Sequence, residues 1–143
     1  MQGFLTICGN ITLIFIAGIL AYWFNSRLFF RQITHNKKTR QQELFLNHLS
    51  STEKNIIKYW DCDESNFKLG LGVVKNIEFL YKLISLHGEK FVSFDTKEKI
   101  TSLIIELHRV ATGGTFQSEN KASPDTISKS LGITSEIKIF LFD

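Results

Sequence analysis

Between Phe4 and Phe24 the chain runs for 21 residues, FLTICGNITLIFIAGILAYWF, without a charge or a proline. As a helix this stretch is roughly 31 Å long, matching the ~30 Å hydrocarbon core of a bilayer. A helix that is apolar on every side must be covered on every side. The ~120 residues that remain make too small a domain to do that. The sequence therefore predicts one transmembrane helix over residues 1–26. A cleaved signal peptide is the weaker reading, because no basic side chain precedes the run. A lipoprotein site at Cys8 is disfavoured by the bulky Ile7 before it.

The charges that follow are one-sided. Arg27, Arg31, Lys37, Lys38 and Arg40 arrive within fourteen positions, and the first acidic residue is Glu43. Basic residues beside a membrane helix stay on the cytoplasmic side, and Tyr22 and Trp23 suit the interface next to them. The expected placement is the bacterial inner membrane, single-pass, N-terminus out and C-terminus in the cytoplasm. The five cations also make the lipid bilayer an expected partner through anionic headgroups. Asn10, with the small residues Ala17, Gly18 and Ala21, is expected to allow a helix–helix contact, hence a homo-oligomer through this helix.

The net charge of +3 belongs to this short stretch alone. Residues 41–143 hold 12 basic against 14 acidic side chains, net −2, so nucleic acid is a disfavoured partner for the rest of the chain.

Residues 27–43 read as a basic juxtamembrane stalk, with a polar linker at His35–Gln42. Residues 44–143 read as a small cytoplasmic α+β domain. Ser50 followed by Glu53 has the spacing of a capping box and predicts a helix start, with Ile56, Ile57 and Trp60 on its buried face. A second helix is predicted over 72–86, carrying Val73, Val74, Ile77, Leu80, Leu83 and Ile84 on one side and ending at Gly88. FVSF at 91–94 predicts a short strand. Asp95 with Glu98 then predicts a helix start for a stripe of Ile100, Leu103, Ile104 and Leu107, ended by Gly113 and Gly114. After a loop at 113–124 come a short helix at 126–131 and a strand at 136–142, where Ile137, Ile139 and Leu141 alternate. The expected fold class is thus a single-pass transmembrane helix plus a small α-rich α+β domain with a minor β-sheet.

No chemistry is spelled out. His35, His48, His87 and His108 lack metal-ligand spacing to one another or to Cys8 and Cys62. Asp61, Asp63 and Glu64 read as a solvated acidic turn and disfavour a reactive Cys62 thiolate between them. No phosphate loop, nucleophile elbow or zinc-protease helix occurs. Neither a cofactor nor catalytic residues are predicted, and the chain is expected not to be an enzyme.

The runs HLSSTEKNIIKYW (48–60) and GVVKNIEFLYKLI (72–84), behind an apolar N-terminal segment and a basic stalk, resemble the superinfection-exclusion protein B family of temperate phages. The resemblance covers residues 44–94 beyond the N-terminal segment and implies interference with infection by a second phage, without catalytic residues. The expected function is a non-enzymatic, membrane-anchored interaction protein with an unidentified protein partner, in phage superinfection exclusion or host defence. Two alternatives stand beside it. One is a membrane-tethered, winged-helix-like DNA-binding regulator, suggested by TISKSLGITSE at 126–136. The other is an accessory subunit of a membrane protein complex.

Overall fold

The computed structural model describes residues 2–61, 67–113, 116 and 122–142, with side chains described from Ile16 onward. Four α-helices follow one another: α1 (Gln2–Trp60), α2 (Phe67–His87), α3 (Phe94–Ala111) and α4 (Pro124–Phe142), with a 3₁₀ turn at Gly88–Lys90. Among the described residues there is no strand. The expected α+β class with a minor sheet is therefore corrected to all-α.

The two strand expectations fail for identifiable reasons. In EIKIFLF the alternation of Ile137, Ile139 and Leu141 has a helical rival, Ile133–Ile137–Leu141 at four-residue spacing. The helical set is the buried one, whereas Ile139 is 62% exposed. In FVSF, Ser93 is the N-cap of α3, its hydroxyl accepting the Thr96 N–H at 3.2 Å. Such a cap fills one of the free N–H groups at a helix start. Asp95, expected as the cap, lies in the first turn, where a negative charge complements the helix dipole. At α4 the hydroxyl of Ser123 accepts the Thr126 N–H at 3.4 Å, and Pro124 occupies the first helical position, which needs no N–H.

The helix starts expected at Ser50 and the linker at His35–Gln42 are absorbed into α1. No glycine or proline occurs from residue 19 to residue 69, so nothing in the backbone stops the helix earlier. Freed from capping, Glu53 pairs with Lys138 of α4 at 2.6 Å. Gly88 does not use a left-handed backbone. Its role is space, since a Cβ there would lie 3.1 Å from both Ile84 Cδ1 and Lys97 Cγ.

The expected transmembrane pass is also corrected. Among the described residues no helix is long and apolar enough to cross a membrane. The earlier part of the expected span, residues 4–15, is helical with side chains outside those described. The inner-membrane localisation falls with the span.

The chain divides into two units, residues 1–38 and 39–143. The first is the N-terminal part of α1, which runs on into the second. The second has one core. Phe45, Leu49, Ile56, Tyr59 and Trp60 come from α1, and Val73, Ile77, Leu80 and Ile84 from α2. Ile100, Ile104, Leu107 and Ala111 come from α3, and Ile133, Ile137 and Leu141 from α4. Burying each large aliphatic side chain is worth about 1.5–3 kcal/mol, so this shared cluster is the main source of stability. Polar ties join the helices around it. The Gln42 side-chain amide donates to the carbonyls of Phe91 (3.3 Å) and Leu141 (3.2 Å).

Candidate functional site

α2 and α3 pack side by side, and their contact line is not filled to the surface. Ile77 and Ile104, each about 1% exposed, form a floor. Above it stand Tyr81 and Ile105, 44% and 57% exposed. Glu78, Lys82 and His108 complete the rim of a groove of about 240 Å³. The helical repeat builds this arrangement: positions 77, 78, 81 and 82 lie along one side of α2, and 104, 105 and 108 along one side of α3. Ile77 and Ile104 belong to the core stripes, and Tyr81 and Ile105, just outside those stripes, leave large apolar groups in water.

The charges at the rim are available. Among the described residues Glu78 and Lys82 form no ion pair. The His108 ring lies 3.5 Å from the hydroxyl of Thr112, which itself donates to the His108 carbonyl at 2.6 Å. The volume falls below the roughly 300–1,000 Å³ of sites that enclose a cofactor or drug-sized ligand. It matches one or two large apolar side chains reaching in from outside, with a carboxylate and an ammonium at its edge for register.

A second groove, between α3 and α4, is lined by Asp95, Glu98, Lys99, Ser102, Glu136 and Phe140. Lys99 sits over the Phe140 ring at 5.2 Å. Its rim is charged and exposed, and the apolar residues beneath it, Leu103 and Phe140, are only half-buried.

Comparison with protein-family models, with curated proteins and with solved structures finds no match. The α2/α3 groove therefore has to be read from its own chemistry.

The residues singled out from the sequence lie elsewhere. Arg27, Arg31, Lys37, Lys38 and Arg40 are exposed along α1. Tyr22 is 77% and Trp23 49% exposed. The structure brings two of these residues together: the Arg27 guanidinium lies over the Trp23 ring at 4.4 Å, one helical turn away. Ala17, Gly18 and Ala21 are exposed on the same helix, and the Asn10 side chain lies outside those described. Cys62, Asp63 and Glu64 also lie outside the described residues, while Asp61 is exposed. Among the described residues no group of three His, Cys, Asp or Glu side chains is placed to hold a metal.

Sequence reasoning missed the groove because it treats apolar residues as core. The available signal was Tyr81 and Ile105, which fall just outside the buried stripes Val73–Ile77–Leu80–Ile84 and Ile100–Ile104–Leu107.

Proposed function

We propose that this chain works by holding another protein rather than by catalysing a reaction, and that the partner's contact is an amphipathic helix seated in the α2/α3 groove. The observation that carries this reading is the pair of exposed walls, Tyr81 and Ile105, over the buried floor of Ile77 and Ile104. A helix lying in such a groove presents large apolar residues three or four positions apart. Glu78 favours a basic residue beside them, and Lys82 an acidic one. Aromatic anchors like Tyr81 supply a large share of the energy at such contacts.

The resemblance of residues 44–94 to the superinfection-exclusion protein B family supplies the biological setting: the bound protein belongs to an infecting phage or to the host machinery that it uses. The DNA-binding alternative gains no support. Residues 126–136 lie inside one continuous helix, α4, without the turn a helix-turn-helix needs, and residues 41–143 are net negative.

The test is a plating assay in a bacterial host expressing the chain, with Ile105→Glu and Tyr81→Ser as variants, both at exposed positions so that the fold is retained. The wild type is expected to lower plaque yield for at least one phage of a broad panel, and both variants to restore it. Unchanged plating by the wild type would refute the exclusion setting. Exclusion that persists in both variants would refute the groove.

A further inference from the structure

The α2/α3 groove does not end at Tyr81 and Ile105. Beyond them, along the same two helix stripes, lies a second hollow of about 530 Å³. It is lined by Ser85 of α2 and by Phe94, Lys97, Glu98, Thr101 and Ser102 of α3. Positions 77, 81 and 85 stand one above another on α2, and 108, 105, 101, 98 and 94 follow at three or four residues on α3. The two hollows are therefore halves of one trough along the seam. From Phe94 to His108 it extends roughly 21 Å, about four turns of a helix laid in it.

The halves differ in chemistry. The first has the apolar floor of Ile77 and Ile104. In the second, Thr101 donates its hydroxyl to the Lys97 carbonyl at 2.7 Å. The hydroxyls of Ser85 and Ser102 make no hydrogen bond among the described residues. The Phe94 ring stands at the edge, 62% exposed. Glu98 is exposed and, among the described residues, forms no ion pair. Lys97, the cation of this lining, is held by Glu89 at 2.7 Å.

We propose that the partner helix of the α2/α3 groove runs on through this second half and places an arginine there, between the Phe94 ring and the Glu98 carboxylate. The inference rests on the reading of that groove as a helix-binding site. Three observations select a guanidinium. Its flat face suits an exposed aromatic ring, which attracts a cation to its π face. Its edge carries N–H donors only, and this half offers them a free carboxylate and two free hydroxyl oxygens. Ser85 stands in the last turn of α2, where the helix dipole favours a cation, and Asp95 in the first turn of α3 offsets the opposite dipole there. A large apolar side chain in this place would instead strip water from Glu98 and return no partner. Between the middles of the two halves the separation is about 10 Å, so the arginine falls roughly seven residues from the apolar anchors.

A displayed library of amphipathic helices of about 18 residues, selected on the full-length chain, tests this. Binders are expected to carry two large apolar residues three or four positions apart and an arginine about seven positions from them. The exposed variants Phe94→Ala and Glu98→Lys are each expected to weaken such a binder about tenfold or more, with unchanged helical circular dichroism. Glutamine in place of the binder's arginine does the same on the wild type. Ile105→Glu abolishes binding, and Glu136→Lys, in the α3/α4 groove, leaves it intact. Binders that need Ile105 but tolerate Phe94→Ala and Glu98→Lys overturn the arginine seat and leave the helix-binding groove standing. Binders indifferent to Ile105→Glu, or none at all, overturn the groove and this inference with it. An equal loss in Glu136→Lys overturns the seat in favour of net charge.

Discussion

The indole N–H of Trp60 donates to the carbonyl oxygen of Ala111 at 3.0 Å, so the last residue of α1 closes the last residue of α3. That carbonyl is among the four at a helix C-terminus that have no partner within the helix. Both residues are buried, Trp60 at 2% and Ala111 at 0% exposure, so water does not replace the indole. Trp60→Phe keeps an aromatic ring but orphans the carbonyl, and is expected to cost about 1–3 kcal/mol from that loss alone. Urea unfolding followed by circular dichroism measures it. An unchanged midpoint would mean that the bond carries no net stability.

Gly70 of α2 lies against the Tyr59 side chain of α1. A Cβ there would sit 2.9 Å from Cε2 of Tyr59 and 3.3 Å from Cζ of Phe116. Gly70→Ala gains about 1 kcal/mol of helix propensity. Forcing the Tyr59 ring aside costs about 1–3 kcal/mol, because that ring is 1% exposed and lies against the Phe116 ring, tilted by 44° with centroids 4.7 Å apart. The net expectation is a loss of about 1 kcal/mol in thermal or urea unfolding. Tyr59→Leu in the same chain is expected to relieve the crowding, so that the Gly70→Ala effect changes sign in that background.

Ser130 on α4 is 1% exposed, and among the described residues its hydroxyl is the buried side-chain group without a hydrogen-bond partner. Folding strips water from that hydroxyl and returns nothing. Ser130→Ala is therefore expected to stabilise the domain by about 1 kcal/mol, seen as a higher urea midpoint with an unchanged slope. A destabilised variant would show that the hydroxyl is satisfied in solution.

The Glu89 carboxylate accepts a hydrogen bond from Lys97 Nζ at 2.7 Å, and that bond, followed by the ammonium charge, lowers its pKa below the ordinary 4.5. A carboxyl group whose pKa is lower in the folded state adds stability above its unfolded pKa. It loses that stability as pH falls through the folded value. The stability difference between wild type and Glu89→Gln is thus expected to be largest above about pH 5 and to vanish in stronger acid. Because Glu89 lies in solvent, the difference is small and shrinks with added salt. A carbon-13 titration of the Glu89 carboxyl with a midpoint at or above 4.5 would contradict the pairing.

The parts of the fold that can be read from sequence are those where one period dominates. Val73, Ile77, Leu80 and Ile84 repeat at helical spacing without competition, and all four are buried on α2. Ile100, Ile104 and Leu107 behave likewise on α3. Residues 136–142 satisfy two periods at once. Local alternation suggests a strand there, but Ile133, four residues earlier, extends the helical series, and the core on α3 rewards that series. Ser50 and Glu53 carry the residue types of a helix start without its context, since the helix is already under way and Glu53 has Lys138 to pair with. The α2/α3 groove was invisible because Tyr81 and Ile105 differ from core residues only in which way their helix turns them.

Gln42 holds the backbone of Phe91 and of Leu141 with a single amide group. Its two acceptors are separated from it by 49 and 99 positions. During synthesis α1, α2 and α3 leave the ribosome first, with the apolar surface meant for Ile133, Ile137 and Leu141 still open. Closure waits for α4. For the seconds that translation of the intervening stretch takes, that apolar surface stays uncovered.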